Sequence, residues 1–422
     1  MRSIHVLAVL FSVFFLATCS AVSPAWFVCA DEGWSDAEIL ADSSDVLVNP
    51  YLVVDDSLVF LIGSTYAPFQ PAGPNGHVLR RLGGVSSFFS DNWYHVFPAA
   101  AAVDSKGVLH VLWGEPPDTT SAPVYAAPNI TDLYYRSYSE GHWSVRERVF
   151  HYPPGIHWDT YPAPQLIIDA HDTVQFIFNI FHTFERAGTF HYARKEAQGW
   201  VIRDTGFRGG YPFLAARPSG HLLLAYIAVS TGGNDQNSVF FTLSTDQGQA
   251  WEEPVLASRS GDRGGHTPQI VLMPSGQVHL LWIKDLDRDD SGRIIWHATS
   301  TDGGKTWGAP WEIGTALGGF VHNFQAVAAP DGCMHMVFER ESAFFSNDRK
   351  LYYTRWDGQA WIEPQDLFPE THSLGFAFVA TKEGGRHLIW TRIKPGAWPF
   401  TGTPLPEPGG WPQQVYVTSG LH

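Results

Sequence analysis

Two octets, Ser244-Thr-Asp246-Gln-Gly248-Gln-Ala-Trp251 and Ser300-Thr-Asp302-Gly-Gly304-Lys-Thr-Trp307, share the pattern Ser-x-Asp-x-Gly-x-x-Trp and begin 56 residues apart. A short acidic side chain followed by glycine is turn chemistry. The carboxylate accepts bonds from the turn amides, and glycine takes the positive φ that closes the turn. The tryptophan is sized to bury its ring between neighbouring sheets. Two copies at one spacing predict a repeated β-hairpin, and therefore an array.

The rest of the chain supplies further members. Short apolar strands flank tight turns in Pro98–Trp113, Pro164–Phe178, Pro212–Tyr226, Pro268–Trp282, Gln325–Phe338 and Phe376–Trp390, with a weaker copy at Pro50–Gly63. A third strand follows most of them, as in Leu133-Tyr-Tyr and Leu351-Tyr-Tyr. An intact or worn octet comes next, then a fourth strand opening at its Trp. Four-stranded meanders repeated along one chain predict an all-β fold, a β-propeller of four-stranded blades. Seven units are counted; six blades is the alternative if Pro50-Tyr-Leu-Val-Val belongs elsewhere. The last unit stops at Val415-Tyr-Val without a fourth strand, and Trp34-Ser-Asp-Ala-Glu-Ile-Leu matches the missing one. The N-terminal segment is therefore expected to close the final blade and cover its edge. Residues 33–422 form one domain in this reading.

The octets resemble the Asp box, or BNR repeat, of the sialidase superfamily. The resemblance implies a propeller acting on carbohydrate, with the boxes structural and facing away from the substrate. It also implies an early Arg-Ile-Pro-type motif, three arginines for the sialate carboxylate, an Asp acid/base and a Tyr–Glu nucleophile pair. The sequence holds neither Arg-Ile-Pro nor Arg-Val-Pro, and none of the family's catalytic residues is carried over.

Arg2 precedes an apolar run from Ile4 to Ala17 that is too short to span a membrane and reads as a secretory signal. Cleavage after Ala21 fits, giving a leader of residues 1–21, and so does cleavage after Ala30. Leu16-Ala-Thr-Cys19 resembles a bacterial lipobox, which would make a lipid anchor at Cys19 the one membrane contact. The expected location is secreted, periplasmic or cell-surface. Three cysteines do not make a disulfide framework, and Cys333, inside an inner hairpin, reads as a small hydrophobe. A net charge of −15 argues against nucleic acid as a partner. Any acidic glycan must then be met by a local cationic cluster. A monomer is expected.

Loop length selects the working face. The first and third connections of each unit are tight turns, whereas the second is long and varied, as in 114–132 and 393–413. Those loops share a face with the links entering each innermost strand, and long loops on a rigid scaffold carry function. The entries hold His95, His157-Trp-Asp159-Thr-Tyr161, Arg208-Gly-Gly-Tyr211, Asp262-Arg263-Gly-Gly-His266 and His322. Because strand entries ring the axis, His95, His157, His266 and His322 are expected to converge from four blades. Arg208 and Arg263 precede matching Gly-Gly pairs, which suggests a repeated backbone turn. Trp113, Trp282 and Trp390 read as core. The acidic run Asp285, Asp287, Asp289 and Asp290 reads as a solvated loop rather than a calcium loop.

Three functions fit. A glycoside hydrolase needs two carboxylates across the scissile bond, for which Asp159, Asp262, Glu115 and Glu339 lie on the right face. A lyase acting on uronic acids needs a base, an acid and a cation. His157 or His266, Tyr161 or Tyr211, and Arg208 or Arg263 supply these. A non-catalytic glycan-binding scaffold would need only the aromatic-rich loops. The candidate catalytic residues are His157, Asp159, Tyr161, Asp262 and His266, with His95, Arg208, Tyr211, Arg263, His322, Glu339 and Arg340 as candidate substrate contacts. No cofactor is expected; a divalent metal held by the His ring is the alternative, requiring three or four nitrogens.

Overall fold

The computed structural model describes Trp34, the strands between residues 38 and 88, most of residues 97–393, and Gln413–Gly420. Side chains are described for Trp34 and within residues 100–390. The chain is nearly all β. Among the described residues the only helical turn is a 3-10 turn at Thr315–Leu317.

The pairings resolve into antiparallel four-stranded meanders. The first joins Val46–Asp55, Leu58–Tyr66, His77–Arg81 and Ser86–Phe88. The second joins Phe97–Val103, Leu109–Glu115, Asp132–Ser139 and Glu147–His151. The third and fourth share one 18-residue strand, Gly199–Ala216. Its first half pairs with Gly188–Glu196, beside Val174–His182 and Gln165–Ile168; its second half leads to Leu222–Ala228, Ser238–Ser244 and Val255–Leu256. The fifth joins Gly265–Leu272, Val278–Asp285, Arg293–Ser300 and Trp311–Ile313, and the sixth Phe320–Ala328, Met334–Glu341, Lys350–Trp356 and Gln365–Asp366. The seventh joins Gly375–Ala380, Arg386–Ile393 and Gln413–Gly420, and its outer strand is the N-terminal Glu38–Ser43. Glu38 pairs with Val417 and Ser43 with Gln413, as the Trp34 match predicts. Innermost strands neighbour one another in chain order, and Val46–Asp55 contacts both Phe97–Val103 and Gly375–Ala380.

Side chains stitch each unit to the next. Gln269 donates to the Ala326 carbonyl at 2.8 Å and accepts from its amide at 3.0 Å. Gln165 and Gln325 accept likewise from the amides of Leu214 and Phe378. Further out, one ring on each third strand is wedged by a tryptophan of the following unit. The pairs are Tyr135–Trp200, Tyr192–Trp251, Phe241–Trp307 and His297–Trp361, with centroids 5.1 to 6.3 Å apart. For the last unit the wedge is Trp34, 5.5 Å from Tyr353. The N-terminal segment thus supplies the tryptophan as well as the strand.

The octets do what their residues imply. Asp246 accepts from Ser244 Oγ and the amides of Gln249 and Ala250, at 2.8 to 3.0 Å. Asp302 accepts from Ser300 Oγ, the Thr306 amide and Thr306 Oγ1, at 2.6 to 2.9 Å. These bonds hold both carboxyls below the ordinary aspartate range. Gly248 and Gly304 have φ of 78° and 98°, and a Cβ on either would collide with the ring of Tyr192 or Phe241 in the preceding unit. One expectation is overturned: Cys333 is disulfide-bonded and not a lone small hydrophobe.

Candidate functional site

The first strand of each meander enters from the face of the long second connections, and the boxes lie at the opposite end. At that entry the innermost strands carry a one-residue bulge, at Val48/Tyr51, Phe97/Ala100, Gly210/Phe213, His266/Gln269 and Val321/Asn323. A bulge bends the strand and re-aims the side chains beside it. Tyr211 and Thr267, each followed by proline, sit at φ of 54° and 42° inside their bulges. Non-glycine residues hold such backbone only where the surroundings fix it, at about 1–3 kcal/mol each. The register also corrects the matching of the Gly-Gly pairs. Gly209 is equivalent to Gly265, with a Cβ on either meeting a backbone carbonyl oxygen. Arg208 stands one residue before its equivalent glycine and Arg263 two, so the two arginines are not equivalent.

The fifth and sixth units repeat a three-residue cell at the same 56-residue period as the boxes. In the fifth, His266 Nε2 lies 3.0 Å from Asp285 Oδ2, and Arg293 Nε donates to Asp285 Oδ1 at 2.7 Å. Tyr211 meets the His266 ring edge-on at 6.0 Å. Burial pushes the Asp285 carboxyl up, but His266 and Arg293 outweigh it and hold Asp285 below the ordinary range. In the sixth, His322 Nε2 lies 2.6 Å from Glu341 Oε2, and Arg349 occupies the place of Arg293. Burial, with Arg349 beside it, holds the His322 imidazole below its usual pKa despite Glu341. Arg293 also acts on His322, so the two cells form one continuous charged strip.

The copies differ at one telling position. Where the fifth unit buries Ile283, at 2% exposure, the sixth buries Glu339, at 3%. Arg349 Nη1 is 3.7 Å from Glu339 Oε2, and Oε1 is buried without a hydrogen-bond partner. Burial raises the Glu339 carboxyl to about 7, against the opposing effects of Arg349 and a bond from Ser373. A carboxylic acid still protonated near neutral pH is a proton donor, and Asp285 nearby in the strip is held ionised. Two titratable groups pushed in opposite directions are the usual mark of divided acid and base roles.

Among the predicted site residues, His266, Tyr211, His322 and Glu339 are thus brought together. Arg340 turns aside: its guanidinium donates to the carbonyls of Gly318 and Leu317 and lies over the Tyr352 ring. Arg208 is exposed on the strand shared by the third and fourth units. His157 lies on a short strand paired with Phe181. His95, Asp159, Tyr161, Asp262 and Arg263, and the side chains of His157 and Glu115, fall outside the described residues. Arg293, Glu341 and Arg349 carry no signal at the strand entries, and Asp285 belongs to a strand end rather than a solvated loop. The period of the boxes, carried across to these positions, would have found all four. Among the described residues no group of three His, Cys, Asp or Glu is placed to hold a metal ion.

Repeated antiparallel meanders, inner strands neighbouring in chain order and a charged strip at the strand entries define a propeller-type β protein. Residues 220–363 match the BNR repeat-like domain, which bears out the resemblance to BNR-repeat proteins read from the boxes. The chain is similar to several solved structures. The polysaccharide lyase Uly1 superposes with a TM-score of 0.51 over 92% of each chain at 9% identity. A protein of unknown function from Dyadobacter fermentans gives 0.50 over 78% of this chain and 95% of its own, at 13% identity. The Fusarium graminearum α-L-arabinofuranosidase Arb93A gives 0.48 over 76% and 92%, at 14% identity. A search of curated proteins finds no match.

Proposed function

We propose that this chain is a secreted, seven-bladed propeller, closed by its N-terminal strand, that cleaves glycans at the strip formed by its fifth and sixth units. One observation carries the reading: a buried glutamic acid, protonated to about pH 7, stands where the neighbouring copy of the same cell has isoleucine. A structural role at that position is already filled by Ile283, and burying an ionisable group there costs stability that packing does not return. A carboxyl so strongly perturbed marks a candidate functional site.

In this reading Glu339 protonates the leaving glycosidic oxygen, a step that both hydrolysis and elimination require. Asp285, held ionised, is the second carboxylate of a hydrolase; His322 or His266 is the base of a lyase. Some of the similar structures are named as glycan-acting enzymes, which supports carbohydrate as the substrate class. A binding scaffold is the second reading, favoured by the near-complete cover over Glu339 and by the mutual bonding of the His and acidic groups. The test incubates the purified protein with sialosides, neutral glycans and uronic-acid polysaccharides, following reducing ends together with ultraviolet absorbance of unsaturated uronate. Cleavage that disappears in Glu339→Gln supports the assignment, and the absorbance separates elimination from hydrolysis. No cleavage across the panel, with glycan binding retained, would leave the scaffold reading.

A further inference from the structure

The turns that join first to second strands repeat one geometry. In each, the amide of the first turn residue donates to the carbonyl four residues on, at Asp104, Asp169, Arg217, Met273, Ala329 and Thr381. The Asp104 and Asp169 carboxylates also accept from amides of their own turns, and Thr381 Oγ1 accepts from the Gly385 amide. The fourth, fifth and sixth units have Arg217, Met273 and Ala329 at this place, each followed by proline. Pro218, Pro274 and Pro330 keep the 56-residue period. Proline presets the turn without help from a side chain, so these three positions are released from capping.

The released turns wall a cavity. A space of about 630 Å³ lies among the turns of the fourth to seventh units, at the end of the molecule that carries the boxes. Leu272, Met273, Ala328 and Ala380 join the three prolines as its apolar walls, and among the described lining residues only Arg217 is charged. Apolar walls with one placed polar group, at this volume, are the anatomy of a small-ligand site.

Arg217 is half-buried, and among the described residues its guanidinium has no hydrogen-bond or ion-pair partner; Nη2 is buried outright. A neighbouring arginine shows what it lacks. Arg194 of the third unit reaches the fourth unit's box and donates to Gln247 Oε1. Arg217 reaches the corresponding place in the fifth unit's box, which is Gly303, where a Cβ would stand 3.3 Å from Nη2. That box therefore offers no side-chain acceptor. Leaving a buried charged donor unpaired is costly, and an anionic oxygen is the acceptor that a guanidinium holds best.

We propose that this cavity binds a small organic anion, whose apolar body lies between the proline turns and whose carboxylate or sulfonate accepts from Arg217. The site is at the opposite end of the strands from the charged strip and does not rest on glycan cleavage.

The test titrates the purified protein with two fluorescent probes of similar shape, anilinonaphthalene sulfonate and the uncharged phenylnaphthylamine. Both should bind saturably and raise the thermal midpoint, as ligands of the native state do. Arg217→Gln should weaken the sulfonate about tenfold or more and leave the uncharged probe unchanged. Ser219→Trp, at an exposed turn residue that lines the cavity, should block both probes. An unchanged sulfonate affinity in Arg217→Gln, or an equal loss of both probes, would overturn the anion assignment. No saturable binding by the parent, or binding that Ser219→Trp leaves intact, would overturn the site itself.

Discussion

At the scale of single residues, the pair Ile283 and Glu339 shows how one position of a repeat can hold quite different chemistry. Both occupy one place in one cell, and both are buried. The raised Glu339 carboxyl makes a signed prediction. Its folded pKa, about 7, lies above the ordinary value of 4.5. The stability it contributes is therefore fully present below 4.5 and lost as pH rises through 7, by linkage up to about 3 kcal/mol. Replacing it with the residue of the sister cell, Glu339→Ile, should flatten that pH dependence in urea titrations. The variant should be at least as stable as the parent at pH 8, while glycan cleavage is lost. A parent whose stability does not decline between pH 5 and 8 would mean that Glu339 ionises freely. His266, His322 and Glu339 were legible because a strand entry and a loop edge can be read from the repeat. Their carboxylate and arginine partners were not. Only the 56-residue period, applied residue by residue, puts Asp285 with Glu341 and Arg293 with Arg349.

At the scale of strands, the same logic explains a set of buried polar pairs. His110 bonds the Tyr135 hydroxyl at 2.7 Å, Tyr192 donates to Gln175 at 2.5 Å, and His335 bonds Tyr353. In the fifth unit His279 Nδ1 lies 2.8 Å from His297 Nε2. Trp361 donates to His297 Nδ1 at 3.0 Å, so Nε2 carries the proton toward His279. Burial depresses both imidazoles, which keeps this pair neutral and structural. In the fourth unit two apolar residues, Leu223 and Phe241, stand in these places. Phe241→Tyr should then cost about 1–3 kcal/mol, because its hydroxyl meets leucine. Adding Leu223→His should recover much of it, with a coupling energy of about 0.5–3 kcal/mol in a double-mutant cycle. Additive effects would mean the pairs are not units. The box glycines can be read the same way. Gly304→Ala meets the Phe241 ring at φ 98°, whereas Gly358→Ala meets nothing at φ 99°. Both carry the backbone strain, so the excess loss in Gly304→Ala, on the order of 1–3 kcal/mol, isolates the wedge against the preceding unit. The box was legible because its turn chemistry is local. The polar pairs were not, since each joins residues 17 to 25 apart that look like ordinary strand positions.

At the scale of the whole molecule, what must be explained is how the last unit obtains its outer strand. The sequence shows the last unit short of a strand and the N-terminus carrying a spare one, because both halves keep the pattern of the repeat. The bonds of Glu38–Ser43 to Gln413–Gly420 cover the edge, and Trp34 repeats a contact made by Trp200, Trp251, Trp307 and Trp361. If that equivalence is energetic as well as geometric, Trp34→Ala should cost about as much as Trp251→Ala, on the order of 3 kcal/mol each. The two losses should differ in their reach. Trp251 lies inside the array, so its removal lowers the midpoint of one cooperative transition. Trp34 sits where the start of the chain meets its end, on a segment that can peel away from one side. Its removal should therefore expose Glu38–Ser43 and Gln413–Gly420 to amide hydrogen exchange at denaturant concentrations well below the global transition. Exchange of those two strands only with global unfolding, in the Trp34→Ala variant, would mean that the strand pairing holds the segment without help from the tryptophan.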